Sequence, residues 1–291
     1  MKVDKRLYFL IPALFLYLMF TIYPVMKGVS LSMTEYAGVG ESTWVGLDNY
    51  REIFSDQRYV QVLKNTLVYG IVVVIFQNGL GLIFAAILNS IPAVRDALRT
   101  ALLVPSMLSL VIAGYVWQYL YAPMGGGFNE LLGSFGMESM QQVWLGDSSI
   151  ALFSVAAVHV WMFVGYSTAI FLAGYAGIST EVKDAARVDG VSPIKSFFHI
   201  DIPLLAPAIT VNITLATIGT LKSFEFPFIM TGGGPDYATM TLGLKIFQLI
   251  FQDFKYGSAA ALSVVMIVFV ALITIIQNSY LARCLLISWR H

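Results

Sequence analysis

Few residues in this chain are of types that carry out chemistry, and their spacing decides which chemistry is open. Its 291 residues include three histidines, His159, His199 and His291, and one cysteine, Cys284. Gly165-Tyr166-Ser167 has a faint likeness to a nucleophile turn, and such a serine needs a histidine base within hydrogen-bond reach. His159 is too close on the same helical stretch, His199 falls in a hydrophilic connection and His291 is the terminal residue, so no catalytic set assembles. A lone cysteine excludes an internal disulfide framework. No Gly-x-x-x-x-Gly-Lys-[Ser/Thr] segment is present, so phosphate-loop nucleotide binding is excluded from this chain, and no metal-ligand set is expected. An ion-coupled carrier would need intramembrane carboxylates or an internal repeat, and neither is visible. Among long apolar runs, His159 reads as a neutral histidine bonded to a neighbouring helix. Lys222 and Glu225, three residues apart, are expected to pair with each other or to meet a solute.

These residues are positioned by elements built for lipid. Hydrophobic residues make up 58% of the chain and charged residues only 12%, with a mean hydropathy of +0.76. Ordinary soluble domains carry roughly 25% charged residues. Acidic and basic residues balance at 17 each, so nothing points to nucleic acid as a partner. A helix needs about 20 apolar residues to cross the hydrocarbon core. Charge-poor stretches of that length predict an all-α membrane protein of six transmembrane helices, approximately 7–29, 66–90, 99–121, 150–176, 203–222 and 257–281, in a single domain 1–291. The run from Leu7 contains Pro12 and Pro24 and lacks a small-residue cleavage site, so it reads as a retained first span rather than a signal peptide, with no further span before it.

Placing both termini in the cytoplasm puts Lys2, Lys5, Arg6, Arg95, Arg99, Lys183, Arg187, Lys195, Arg283 and Arg290 on short inner segments, a bias in the positive-inside direction. Glu35, Glu41, Asp48, Glu52, Asp56, Glu130, Glu138 and Asp147 then all lie outside. Trp44, Trp117, Tyr119, Tyr121 and Trp144 gather near the expected outer surface, where they read as interfacial anchors. The inner connection 177–202 is ordered by its own chemistry. Thr180 is expected to cap a short helix with Glu181 and Asp184 in its first turn, Gly190 to end it in a left-handed conformation, and Ser192-Pro193 to start a second helix at an angle, with Pro203 opening the fifth span.

From Asp184 the chain reads Asp-Ala-Ala (Asp184, Ala185, Ala186), three residues, Gly190, nine residues, Ile200, one residue, Ile202-Pro203. This resembles the Glu-Ala-Ala signature of importer permeases of the ATP-binding-cassette superfamily, with aspartate for glutamate and isoleucine for leucine. The Phe-rich segment Ser223 to Met230 followed by Thr231-Gly232-Gly233-Gly234-Pro235, with Trp44-Val45-Gly46-Leu47-Asp48-Asn49-Tyr50 upstream, is similar to the carbohydrate, maltose-type branch of that family.

The resemblance implies a type I importer permease fold with a cytoplasmic coupling helix, in a bacterial plasma membrane. It implies half of a pathway for a sugar or oligosaccharide, completed by a second homologous permease, driven by a dimer of cytoplasmic ATPase subunits that hold ATP and Mg, and supplied by an extracytoplasmic sugar-binding protein. No cofactor and no hydrolysis belong to this chain itself. ATPase coupling would fall to Glu181, Asp184, Ala185, Ala186, Gly190, Ile200 and Pro203. The solute path, expected beside breaks in the spans where irregular backbone lines a cavity, would take Ser106, Ser109, Trp161, Tyr166, Lys222, Ser223 and Glu225.

Overall fold

The computed structural model describes residues 10–287. Lys2, Lys5 and Arg6, the start of the first span, Arg290 and His291 lie outside the described residues, as do the side chains of Arg187, Arg283 and Cys284. In chain order the helices are α1 (Ile11–Leu31), α2 (Asp48–Ser55), α3 (Gln57–Ser90), α4 (Arg95–Leu103), α5 (Leu110–Leu120), α6 (Gly127–Ser134), α7 (Ala151–Ala176), α8 (Thr180–Val188), α9 (Pro193–Leu204), α10 (Ala206–Lys222), α11 (Glu225–Thr231), α12 (Leu242–Phe251) and α13 (Tyr256–Ile287). Two short strands, β1 (Thr34–Glu35) and β2 (Thr43–Trp44), pair antiparallel with Thr34 opposite Trp44.

Four of these helices, α1, α3, α7 and the stretch from Tyr256 to Leu281 of α13, are long and apolar enough to cross a membrane, and α9 with α10 makes a fifth if the bent pair counts as one span. The expected continuous third span, 99–121, is not one helix. Pro105 has no N–H to give, the chain tightens into one 3₁₀ turn over Pro105–Met107, and Leu108 and Ser109 are extended before α5 begins. The expected fifth span starts later than Pro203. Leu205 leaves helical geometry between Pro203 and Pro207, and α9 meets α10 at 73°.

Prolines also explain two local widenings. Ahead of Pro24 the turn Leu18–Ile22 is π-helical, with the Tyr23 N–H reaching back to the Leu18 carbonyl; ahead of Pro203 the turn Phe197–Asp201 is π-helical, with the Ile202 N–H on the Phe197 carbonyl. A proline ring clashes with the carbonyl four residues back, and taking in one extra residue relieves that clash.

The chain divides into two compact units, 1–60 with 245–269 and 61–244 with 270–291. In the first, Asn49 of α2 organises the loop after α1. Its Nδ2 donates to the Ser32 and Thr34 carbonyls at 2.9 Å each, and its Oδ1 accepts from Ser258 Oγ at 3.2 Å. Asn49→Ala would strip two buried carbonyls of their donor. We expect a loss of about 2–3 kcal/mol, read as a lower thermal midpoint of the purified chain in detergent; an unchanged midpoint would contradict it.

In the second unit α7 is the central element, buried along most of its length because it is apolar on every side. Tyr69, Val73, Val155, Val158, Met162, Phe226 and Met230 form one core cluster, and Ala85, Leu88, Phe171, Leu172, Tyr175 and Leu205 another. Polar side chains join α10 to α13: Thr217 Oγ1 donates to Gln277 Oε1 and Thr214 Oγ1 to Asn278 Oδ1, both at 2.7 Å. Before α7, the Ser149 N–H and hydroxyl both bond Asp147 Oδ1, which holds that carboxyl below the usual range. Trp117, Tyr121 and Trp144 are not free interfacial anchors. Trp117 packs on Tyr121 and Trp161, Tyr121 on Trp144, and Trp144 Nε1 donates to Asn129 Oδ1 at 2.8 Å, while Trp44 and Tyr119 stay exposed.

Candidate functional site

A cavity of about 420 Å³ opens within the second unit between α3, α5, α7, α10 and α11. Helical spacing builds its walls. His159, Phe163 and Tyr166 share one face of α7, and Asn212, Leu215, Ala216, Gly219, Thr220 and Ser223 follow one face of α10 to its end. The α10 helix stops at Lys222 because Ser223 is extended, and the carboxylate of Glu225, the first residue of α11, turns back to accept from the Phe224 N–H at 3.0 Å and Ser223 Oγ at 3.1 Å. Negative charge at that helix start is favourable. At its other end α11 closes with Gly232 in the left-handed region, at φ +63°.

Of the residues expected along a path, Tyr166, Lys222, Ser223 and Glu225 line this cavity and Ser106, Ser109 and Trp161 do not. Ser106 Oγ is taken by the Leu103 carbonyl at 2.7 Å, Ser109 sits exposed ahead of α5, and Trp161 stacks edge-on to Trp117. Among the described residues no ion pair joins Lys222 and Glu225, since the carboxylate is engaged by its own helix start. His159 does bond a neighbouring helix, with Nδ1 2.9 Å from Tyr69 Oη of α3, and it also reaches the cavity wall.

Sequence reasoning missed Gln77, Asn212 and Thr220. Gln77 is 4% exposed and its Nε2 donates to Ser167 Oγ at 2.9 Å, yet its Oε1 has no partner; Thr220, 1% exposed, has an equally unpartnered hydroxyl. Buried polar atoms left without partners are costly, and both of these residues belong to the cavity wall, with the two atoms themselves buried behind it. The available signal was the occurrence of Gln and Asn within otherwise apolar runs.

The connection 177–202 is itself folded into short helices. Ser179, not Thr180, caps α8: its Oγ accepts from the Glu181 N–H at 3.2 Å, so the helix starts at Thr180 and only Glu181 is acidic in its first turn, with Asp184 further along. Its end is as expected. Gly190 has φ +68°, and the Val191 N–H reaches the Ala186 carbonyl in the pattern that a left-handed cap produces. Ser192 caps the next helix, its Oγ accepting from the Lys195 N–H, with Pro193 at the first position. Ala186 is buried at 8% exposure, whereas Val182, Ala185 and Val188, three residues apart, are exposed along an adjoining stripe of the helix. Ile200 and Pro203, both half-buried, lie in α9.

Known proteins match along nearly the whole chain. Residues 77–283 match the family model described as binding-protein-dependent transport system inner membrane component. The probable ABC transporter permease protein YurN of Bacillus subtilis is 31% identical, over 94% of this chain and 94% of that one. The trehalose/maltose transport system permease protein MalF of Thermococcus litoralis is 32% identical, over 92% of this chain and 90% of that one. A crystal structure of a bacterial ABC transporter involved in the import of the acidic polysaccharide alginate has the same fold, with a TM-score of 0.82 at 22% identity over 96% of each chain. The fold, the several apolar helices and these matches together make the chain a member of the family of inner membrane components of binding-protein-dependent transport systems.

Proposed function

We propose that this chain is the translocating subunit of an ATP-driven, binding-protein-dependent importer of a sugar or oligosaccharide. The observation that carries this reading is the cavity wall in which the rings of Phe163, Tyr166 and Phe226 stand beside the polar residues Gln77, Asn212, Lys222, Ser223 and Glu225. A sugar offers hydroxyls that donate and accept at once, together with a C–H face that stacks on rings, which is the complement of such a wall. The trehalose/maltose relative supports the same substrate class.

In this reading the chain supplies half of the path and a second homologous permease the other half. Tyr166, Lys222, Ser223 and Glu225 act with Gln77, Asn212 and Thr220 on the solute. The α8 helix is the coupling helix: Val182, Ala185 and Val188 face a cleft on one of two cytoplasmic ATPase subunits, which hold ATP and Mg, while Glu181, Asp184, Ala186, Gly190, Ile200 and Pro203 shape the connection that presents it. An external binding protein delivers the solute. Both termini lie in the cytoplasm, in line with the excess of Lys and Arg on the inner segments, and the whole unit is read as one transmembrane permease domain.

Gln77→Leu tests the wall, because it nearly keeps the volume and removes the amide, its donor to Ser167 Oγ included. Uptake of labelled maltose, trehalose and an alginate oligosaccharide would be measured in vesicles carrying the full complex. For whichever sugar is taken up we expect uptake to fall about three- to tenfold, the worth of one hydrogen bond, with ATP hydrolysis retained. Unchanged uptake would remove Gln77 from the site, and failure of the unaltered complex to take up any sugar would defeat the substrate class.

A further inference from the structure

At the cytoplasmic end of α7 lies a three-residue contact that plays no part in the cavity. Tyr175, in the last turn of α7, is 2% exposed, and its hydroxyl donates to Asp201 Oδ2 at 3.2 Å. Asp201 belongs to α9, just ahead of the bend at Leu205, and Leu205 shares the Tyr175 core cluster. On the same ring, Lys183 Nζ of α8 sits 5.3 Å from the centroid. One buried side chain is therefore held from two sides, by a cation over its face and by a carboxylate on its hydroxyl.

The chain is bendable at this place. Residues 177–179 join α7 to α8 and include Gly177, and Gly190, in the left-handed region, separates α8 from α9. Covalent connection alone would let α8 swing at both ends. Both contacts to Tyr175 are directional, weakening when the partner leaves the ring face or the hydroxyl axis, so together they resist such a swing.

The geometry points to Tyr175, gripped by Lys183 and Asp201, as the positioning residue that makes α8, the foot of α7 and the lower arm of the α9–α10 bend move as one body. This rests on the reading of α8 as the coupling helix. Displacement of α8 by a closing ATPase would then arrive at α10 and its cavity wall instead of being absorbed at Gly177 and Gly190. A discrete packed contact of this kind is the physical form that coupling between distant sites takes.

The test uses the complex purified from its native membrane through a tag on this chain, with Cys284 replaced by Ser and the cavity residue Leu215 replaced by Cys as a reporter. Labelling of Leu215→Cys by a membrane-impermeant maleimide is timed without nucleotide and with ATP plus vanadate, alongside ATP hydrolysis. No solute has to be identified. We expect nucleotide to change the labelling rate in the reporter complex. In Tyr175→Phe and in Lys183→Met that change shrinks about fivefold or more while hydrolysis stays within about twofold, the scale of a lost coupling term. Lys183→Arg restores it, because a guanidinium also stacks on the ring. A merely structural role would lower assembly, hydrolysis and labelling response together. A full nucleotide response in both Tyr175→Phe and Lys183→Met overturns the inference and leaves the coupling reading standing, whereas no response in the reporter complex itself overturns both.

Discussion

Val188→Glu is expected to abolish ATP-driven uptake while the chain still inserts and folds. Val188 is 87% exposed at the end of α8 and follows Val182 and Ala185 along one face, so the described residues of its own chain leave it almost nothing to pack on. A carboxylate placed there is open to water in the isolated chain. Pressed into a partner's apolar cleft without a counter-charge, it costs about 2–5 kcal/mol, which weakens docking roughly 30-fold to several thousandfold. Co-purification of the ATPase with the tagged chain, measured beside uptake, checks this, and undiminished co-purification would place the docking face elsewhere. Ala186→Trp would not make the same test, because Ala186 is buried and a large side chain there would disturb the loop itself.

Gly165→Ala is expected to have the largest effect on stability of any single methyl group added to α7. A Cβ at Gly165 would run into the Leu102 carbonyl and the Leu103 N–H at the end of α4, and these are backbone atoms that no rotamer change can move. Overpacking of this kind costs about 1–3 kcal/mol or more, which outweighs the gain of up to about 1 kcal/mol in helix propensity. Gly79→Ala in α3 is the matched control. Nothing lies within 4 Å of its added Cβ, so only the propensity gain remains. Thermal denaturation in detergent should show Gly165→Ala well below the unaltered chain and Gly79→Ala at or above it. Equal midpoints for the two would refute the close approach of α7 to α4.

How legible each part was in the sequence follows from the range of the interactions that fix it. The end of α8 depends on neighbours in the chain, so Gly190, Ser192 and Pro193 could be read directly; the start was misplaced by one residue because Ser179 and Thr180 are both able to cap. The break at Pro105 was visible, yet the helices on either side are too short to be read as one span. The cavity was harder to read, since its walls are assembled from helices far apart in sequence. Tyr166 and Ser223 turn inward, while Trp161, five residues before Tyr166, faces Trp117 instead. Gln77 and Thr220 gave only the weak signal of polar groups in apolar runs, and only packing reveals that their remaining hydrogen-bonding atoms are unmet.

In the coupling reading, the elbow at Leu205 would let α10 act as a lever arm. Seventeen residues at about 1.5 Å each give it a reach of roughly 25 Å. A turn of about 10° at the pivot would sweep the Lys222 tip through roughly 4 Å, comparable to the width of a hydroxyl-bearing carbon. Under the proposed coupling, a modest push on α9 would be magnified at the far end of α10 into a stroke on the scale of a single sugar hydroxyl.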